Sequence, residues 1–327
     1  LTRDLDEQVG PQWIAERVMR AFAHREALYE TPFYRLIHAE ADGLPGVIAD
    51  RFGDTIVFQP NAAWAETMLP DFVSALSGVD GIRHVLKSAS GRARKLEGLD
   101  DKDALLLGDP PPRAEVAMNG ATYIADLASG QKTGLFFDQR PNHAFAAKLA
   151  DGAQVLDVFS HVGGFSLAAL AGGAKSALAV DASEAALSLA RDGAAASGYQ
   201  DRFETRRGDA FAVLEALGDE RAQFDLVVCD PPAFAPAKSA LQAGLRAYER
   251  VARLAAPLVA PGGALMLCSC SHAADLAKFR NACVRGIGRA GRDSQIIWTG
   301  GAGPDHPLHP QLGESGYLKA LGFRMLS

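Results

Sequence analysis

Five short motifs in this 327-residue chain combine residue types that could do chemistry, and each follows a short apolar run. They contain acidic residues, paired glycines, a proline pair and a cysteine between two serines. In chain order the motifs lie at residues 157–164, 181, 208–210, 230–234 and 269–271. Glycine lets backbone N–H groups approach a ligand closely, and carboxylates accept hydrogen bonds from hydroxyl and amino groups. The first motif, with Gly163 and Gly164 at the start of a helical pattern, therefore predicts a nucleotide-binding corner.

The elements that must position these motifs alternate regularly from Asp138 onward. Strands are predicted at 154–158, 176–180, 202–205, 224–229 and 264–268, and helices at 139–149, 164–170, 184–197, 210–217 and 241–258. Apolar strands separated by helices indicate a parallel sheet that is covered on both faces. Such sheets bind ligands at the carboxyl ends of their strands, which is where the five motifs fall.

The first part of the chain has a different pattern, which predicts a small α+β domain. An amphipathic helix is predicted at 11–28, strands at 34–39, 46–51, 55–59 and 82–87, a second helix at 65–76, and a hairpin around Asn119-Gly120. Residues 88–98 are predicted to form a polar loop. We therefore divide the chain into a leading helix and linker (1–28), a small α+β domain (29–127) and an α/β domain (128–327).

The composition limits the class of protein. With 48% hydrophobic and 22% charged residues, the chain is typical of a globular protein with room for two cores. No apolar run is long enough to span a bilayer and no signal peptide is visible, which predicts a cytoplasmic protein. Four cysteines without zinc spacing predict neither a disulfide framework nor a metal site. A net charge of −6 argues weakly against non-specific binding to nucleic acid and does not exclude a local basic patch.

Two classes of nucleotide-binding enzyme compete for the five motifs. A dinucleotide-dependent dehydrogenase explains the glycine turn and Asp181, an acidic residue about twenty positions further on. It does not explain the Asp230-Pro231-Pro232 sequence after the fourth strand. A methyltransferase that uses S-adenosylmethionine (SAM) accounts for all five.

Residues 128–327 resemble a class I SAM-dependent methyltransferase domain. More narrowly, the chain resembles the bacterial 23S rRNA cytosine-C5 methyltransferases, which join a small central domain to the catalytic one. The motifs that carry this likeness lie at 130–140, 159–165, 230–234, 269–271 and 305–307, with 44–46 and 92–97 in the smaller domain. The resemblance implies an α/β, Rossmann-like fold with a mostly parallel seven-stranded sheet, preceded by a small α+β domain. It also implies that the smaller domain, 29–127, could bind RNA. Members usually begin with an RNA-binding PUA domain, which does not fit before the leading helix, so we expect that it was either removed from this sequence or is lacking in the protein.

By this resemblance SAM lies across the strand ends. Backbone near Ser160 and Gly163 would hold its methionine part, Asp181 its ribose and Asp209 its adenine amine. Either carboxylate could instead cap the helix that follows it. The cofactor-binding residues that the resemblance implies are Lys132, Thr133, Gly134, Phe137, Gln139, Asp157, Phe159, Ser160, Gly163, Gly164, Asp181, Ala182, Ser183, Asp209, Ala210, Asp230 and Pro231.

The resemblance also implies a nucleophile. Cytosine C5 is a poor nucleophile, and a thiolate that adds to C6 raises the electron density at C5 before the methyl group is transferred. The family likeness assigns this role to Cys270, not Cys268, with Asp230 as the second catalytic residue. The alternative for Cys270 is a buried small hydrophobic residue, which is how we interpret Cys229 and Cys283.

Several further residues are implied in binding RNA, with 23S rRNA as the expected partner and the oligomeric state, including a homodimer, left open. Phe234 could stack on a flipped base or pack beneath its loop. His306 could line the target pocket or be a solvated loop residue. The full set of substrate-binding residues is Pro232, Phe234, Arg92, Arg94, Lys95, Arg140 and His306.

Two other functions stay open at this point. The Asp230-Pro231-Pro232 corner also suits methylation of an exocyclic amine of an RNA purine, in which case Cys270 would be structural. The other is a SAM-fold protein that binds RNA without catalysis.

Overall fold

A computed structural model describes residues 6–127 and 134–326, so Lys132 and Thr133 lie outside the described residues. The chain forms two compact units. The first comprises Leu1–Val116, Ala125–Asp138 and Gly303–Ser315, and the second comprises Ala117–Ile124, Gln139–Ala302 and Gly316–Ser327. The predicted domain boundary near residue 127 adjoins undescribed residues and stays a prediction.

The first unit is built on a five-stranded sheet whose strands lie in chain order. They are β1 (Phe33–His38), β2 (Val47–Phe52), β3 (Thr55–Pro60), β4 (His84–Lys87) and β5 (Ala104–Leu107). Only β3 and β4 pair in parallel. The helices are α1 (Pro11–Glu26), α2 (Ala63–Thr67), α3 (Leu69–Ser77) and α4 (Arg92–Leu96). Trp13, Ile14 and Val18 of α1 are buried in the core of this unit, as the helical spacing of apolar residues predicts.

Two local predictions for this unit were wrong. The single helix predicted at 65–76 is two helices, because Met68 leaves helical geometry and Pro70 fits only the first turn of the next helix. The polar loop predicted at 88–98 contains α4. The hairpin prediction was correct: β6 (Arg113–Met118) and β7 (Ala121–Asp126) flank Asn119 and Gly120, whose φ angles are 51° and 77°.

The second unit contains a seven-stranded sheet, which confirms the predicted Rossmann-like class. In chain order its elements are α5 (Arg140–Lys148), β8 (Gln154–Val158), α6 (Gly164–Ala171), β9 (Ser176–Asp181), α7 (Glu184–Ala196), β10 (Phe203–Arg207), α8 (Ala210–Asp219), β11 (Phe224–Cys229), α9 (Leu241–Ala255), β12 (Val259–Ser269), α10 (Leu276–Arg289), β13 (Ser294–Gly300) and β14 (Lys319–Met325). The strand order is β10-β9-β8-β11-β12-β14-β13, and only β14 runs antiparallel to its neighbours. The order therefore changes direction between β8 and β11, which is where sheets of this kind bind ligands.

A network of buried charges lies inside the first unit. The Arg25 guanidinium donates to both carboxylate oxygens of Asp42, at 2.8 and 2.7 Å, and to the carbonyl of Asp305 at 3.0 Å. The Arg25 and Asp42 side chains are 2% and 6% exposed. Because the charges are withdrawn from water, removing one partner leaves the other uncompensated.

We predict that Arg25→Met lowers the free energy of unfolding by about 3–5 kcal/mol, because Asp42 would stay buried without its cation. Arg191→Met is the control, since the Arg191–Glu184 pair is about half exposed and should contribute less than about 1 kcal/mol. Urea unfolding followed by tryptophan fluorescence measures both. Equal effects in the two variants would contradict the prediction.

No helix among the described residues is both long enough and apolar enough to cross a bilayer.

Candidate active site

The site is built where β8 and β11 lie side by side. Val158 pairs with Cys229 at the ends of these strands, and the Asp230 amide donates to the Val158 carbonyl at 3.2 Å. On the other side of β8, the Ser160 amide donates to the Val180 carbonyl at 3.0 Å. These backbone bonds hold the first, second and fourth motifs next to one another.

The loop after β8 has an unusual backbone. Phe159, His161 and Gly163 have φ angles of 66°, 49° and 79°. A phenylalanine at positive φ is strained, and such strain concentrates at functional sites. Glycine is also required at Gly164, because a Cβ there would lie 2.7 Å from Nε2 of His143. The loop thus approaches its surroundings more closely than larger residues would allow.

Two buried polar atoms at this loop lack a hydrogen-bond partner among the described residues: Oδ1 of Asp157 and Oγ of Ser160. The other Asp157 oxygen, Oδ2, accepts from the amide and hydroxyl of Ser166, at 2.9 and 2.8 Å, and so satisfies the first turn of α6. Burial raises the pKa of Asp157 to about 6. Because unsatisfied buried polar atoms are costly, these two fit a polar ligand at the loop.

Asp181 and Asp209 have different surroundings. Asp181 accepts from the amides of His161 and Ser183, at 2.9 and 2.8 Å, while the residue that caps α7 is Ser183. Asp181 is therefore not the helix cap that was its alternative role. Asp209 is exposed and does cap α8, since it accepts from the amide of Ala212 at 3.0 Å. Among the other predicted cofactor residues nearby, Ala182 is exposed and Ala210 is buried.

A line of amide side chains orients Asp230. Gln139 Nε2 donates to Asp230 Oδ2 at 2.8 Å, and Asn142 Nδ2 donates to Gln139 Oε1 at 2.7 Å. Trp298 Nε1 in turn donates to Asn142 Oδ1 at 3.2 Å. Gln139 was predicted from the sequence as a cofactor residue, and here it positions a carboxylate. Asn142 and Trp298 were missed, because they belong to no motif and meet only through the fold.

The four cysteines differ in burial. Cys229, Cys268 and Cys283 are buried, and burial raises the pKa of each thiol. Cys270 is partly exposed and lies just beyond the end of β12. The core assignments of Cys229 and Cys283 are confirmed. A raised pKa disfavours the thiolate, so Cys268 is poorly suited to replace Cys270 as a nucleophile.

The backbone around Cys270 is fixed on both sides. The Tyr248 hydroxyl lies 2.8 Å from Oγ of Ser269 and 2.7 Å from Oγ of Ser271. Ser271 Oγ also accepts from the amide of Ala235 at 2.8 Å, which ties the loop after β11 to the cysteine turn. Lys319, at the start of β14, donates to the Ser271 carbonyl at 2.6 Å. Sequence reasoning missed Tyr248 and Lys319, although a lysine at the start of an apolar strand was a visible signal.

The predicted substrate residues of the second unit lie around the loop after β11. Pro231 is buried and Pro232 is exposed. The centroid of the partly buried Phe234 ring lies 5.0 Å from that of Tyr248 and 6.4 Å from that of Phe159, and its stacking on a base stays a prediction. Arg140 is partly buried at the start of α5.

The predicted residues of the first unit require one correction. The Arg94 side chain is 1% exposed; it donates to Oε2 of Glu66 at 2.8 Å and to the Pro60 carbonyl. Arg94 therefore forms a structural ion pair with Glu66 and is not available to contact a phosphate. Lys95 is exposed, whereas only the backbone of Arg92 is described.

Three other predicted residues of the first unit are buried. His306 is 4% exposed, with Nδ1 3.0 Å from Asp305 Oδ1 and its ring 4.9 Å from that of His38, so it is not a solvated loop residue. Burial is the main cause that lowers the pKa of His38 to about 3, and the neighbouring His306 is the second cause. The ring centroids of Phe137 and Phe52 lie 5.2 Å apart, so the two rings pack together. A Cβ atom on Gly134 would lie 2.9 Å from the Asp126 carbonyl oxygen.

Within residues 6–127 and 134–326, no group of three His, Cys, Asp or Glu side chains is placed to hold a metal ion.

A parallel sheet with a glycine turn and acidic residues at its switch point defines a class of enzymes that bind nucleoside-containing cofactors. The family model described as S-adenosylmethionine-dependent methyltransferase matches residues 86–285. The ribosomal RNA large subunit methyltransferase I of Aeromonas hydrophila is 35% identical over 330 residues, covering 99% of this chain and 83% of that protein. The chain belongs to this family of SAM-dependent methyltransferases, and its cofactor is SAM.

Solved structures share the fold. A structure described as a SAM-dependent methyltransferase from Streptococcus mutans has a TM-score of 0.85 at 21% identity, covering 98% of this chain and 82% of that one. Another, described as a methyltransferase complexed with SAH, has the same TM-score and identity and covers 98% of this chain and 83% of that one.

We predict that Ser160→Ala weakens SAM binding about tenfold, because this buried hydroxyl, which bonds to no other described residue, would lose a bond to the cofactor. The same change should leave thermal stability nearly unaltered, since it breaks no hydrogen bond between described residues. Ser166→Ala is the matched control, because its hydroxyl bonds to Asp157 and its loss should lower stability. Calorimetric titration with SAM and thermal unfolding measure both effects. Unchanged SAM affinity in Ser160→Ala would contradict the prediction.

Proposed function

We propose that this chain methylates large-subunit ribosomal RNA and forms 5-methylcytosine through a covalent bond to Cys270. The name of the Aeromonas hydrophila relative supports the choice of RNA. The observation that carries the chemistry is the position of Cys270, which is the one partly exposed thiol among the four cysteines and lies at a strand end of the cofactor-binding sheet. A thiol that only filled the core would be buried, as the other three are.

The polar groups at the ends of β8, β9 and β10 fit SAM. Next to the backbone of Gly163, Oδ1 of Asp157 would accept a hydrogen bond from the methionine part of SAM, and Oγ of Ser160 would donate or accept one. Asp181, oriented by two backbone amides, would accept from the ribose hydroxyls. Asp209 would accept from the adenine amine with the lone pairs that its capping bond leaves free. When bound, SAM supplies an electrophilic methyl group.

Cys270 acts on the cytosine ring. Its thiolate forms a bond to C6, and the electron pair of the C5–C6 double bond makes C5 nucleophilic. Once C5 has taken the methyl group, which would leave S-adenosylhomocysteine as the second product, a base removes the C5 proton, the electrons of the C5–H bond re-form the double bond and the thiolate leaves. Asp230, held by Gln139, would accept a hydrogen bond from the cytosine amino group and so fix the ring beside the thiol.

We predict that Cys270→Ala reduces methyl transfer to rRNA to less than about one thousandth of the wild-type rate and abolishes 5-methylcytosine, while SAM still binds. Cys268→Ala, two residues away but buried, is the matched control and should keep most of the activity. Transfer from labelled SAM, followed by nucleoside analysis, measures the product. RNA that carries 5-fluorocytosine should trap an adduct in wild type and in Cys268→Ala but not in Cys270→Ala, because fluorine replaces the proton that must leave.

Full activity of Cys270→Ala would refute the covalent mechanism. A methylated purine amine as the product would favour the Asp230-Pro231-Pro232 corner as the centre of an N-methyltransferase. SAM binding without any transfer would leave a non-catalytic RNA-binding protein.

RNA affinity offers a separate test on the first unit, where Lys95 is exposed on α4. We predict that Lys95→Ala weakens RNA binding and lowers the slope of log K against log salt concentration by about 1, because one phosphate contact is lost. Lys148→Ala, an equal change of charge at an exposed position of α5, should leave the slope unchanged. Filter binding at several salt concentrations would decide, and equal slopes for Lys95→Ala and wild type would remove Lys95 from the interface.

A further inference from the structure

We propose that Lys319 is a positioning residue for Cys270: its ammonium group stabilises the Cys270 thiolate, and its hydrogen bond fixes the turn that presents the thiol. This inference rests on the proposed function, because it assigns a role in activating the nucleophile of that reaction. Nothing in the methyl transfer itself requires Lys319 to touch the RNA or the cofactor.

The position of Lys319 follows from strand pairing. In the antiparallel pairing of β12 with β14, Lys319 lies opposite Ser269, which is the residue before Cys270. Its ammonium group donates to the carbonyl of Ser271, one residue after Cys270, at 2.6 Å. The residues on either side of the cysteine are therefore both in register with, or bonded to, the same lysine.

Lys319 is an unusual residue for its surroundings. It is 6% exposed, and within the described part of the chain no carboxylate forms an ion pair with it. A buried ammonium group with one carbonyl partner costs free energy that an apolar side chain of the same length would not. We therefore infer that the Lys319 charge serves something other than stability, and the Cys270 thiolate is the anion that it would stabilise.

The titratable groups around the pair come from four elements. Lys319 is contributed by β14 and Cys268 by β12, while Tyr248 of α9 interacts electrostatically with Cys270. Asp275, the cap of α10, favours the charged form of Lys319 but is itself exposed and paired with Lys278. Burial lowers the pKa of Lys319 to about 8, with Cys270 as the largest opposing influence. Lys319 is therefore mostly protonated at pH 7, which is the state that the role requires.

The chemical step is an ordinary ionisation. The S–H bond of Cys270 breaks, its proton passes to water, and the sulfur keeps the electron pair that later forms the bond to C6. The Lys319 ammonium group keeps its own proton throughout and offsets the negative charge until the sulfur adds to the ring. No oxidant, metal or second substrate takes part.

The experiment measures the thiol itself. Iodoacetamide alkylation of Cys270 is followed from pH 6 to pH 10 in the whole 327-residue chain without RNA, and the tryptic peptide 254–278, which holds Cys268 and Cys270, is fragmented to locate the label. We expect Lys319→Met to raise the apparent pKa of alkylation by about one unit, which is a tenfold slower reaction at pH 7. Lys319→Arg should stay within about threefold of wild type, since it keeps the charge. Arg324→Met, which removes a partly exposed cation of the same strand, should match wild type.

An unshifted alkylation profile in Lys319→Met would overturn the proposal, as would a shift of equal size in Lys319→Arg. SAM binding by each variant checks that the fold is intact, and Lys319→Gln replaces the Met variant if that one does not fold. The readout needs no methyl transfer, so its result is independent of the Cys270→Ala assay. If Lys319→Met shifts the alkylation profile but Cys270→Ala keeps full methyl transfer, the proposed function is refuted and the influence of Lys319 on the thiol stands.

Discussion

The parallel pairing of β8 with β11 is the constraint on which the site depends. Once Val158 lies opposite Cys229, the loop of Phe159 and the loop of Asp230 must leave the sheet side by side. Neither loop carries a complete site. The first has a strained backbone and two polar atoms without a partner in the described part of the chain, and the second has a carboxylate that Gln139 orients. The sheet makes one site from two incomplete loops because it fixes the distance between them.

A second layer of the structure consists of polar groups that serve other polar groups. Asp157 satisfies the start of α6 with one oxygen, while its other oxygen has no partner among the described residues. Tyr248 joins the serines on both sides of Cys270, and Ser271 also binds the loop after β11. Buried networks of this kind are expensive unless every member is satisfied, and among the described residues Oδ1 of Asp157 and Oγ of Ser160 have no hydrogen-bond partner.

The sequence was sufficient to predict the class of fold and the edge of the sheet that carries the site. Alternating apolar strands and helices have few arrangements, and glycine, aspartate and proline at strand ends are local signals. What the sequence did not contain was the set of partners that only folding brings together. Asn142 and Trp298 are 156 residues apart and share a hydrogen bond. Arg94 looked like an accessible basic residue, yet Glu66 and Pro60 enclose it, and no local pattern carries that information.

The contrast between Cys268 and Cys270 shows how finely a strand end divides structural from reactive residues. Cys268 pairs with Ala320 inside the sheet, where neighbours on both sides exclude water and burial raises the pKa of its thiol. Two residues later the strand has ended and the chain turns under the hold of Tyr248, so the Cys270 side chain is partly exposed. Partial exposure alone makes a thiol accessible but not reactive, because its ordinary pKa leaves few thiolates at neutral pH. In our proposal the buried Lys319 on the next strand stabilises the thiolate, since its charge is poorly screened there. On this argument the length of β12 determines which cysteine can react, and the pairing of β14 determines how readily it ionises.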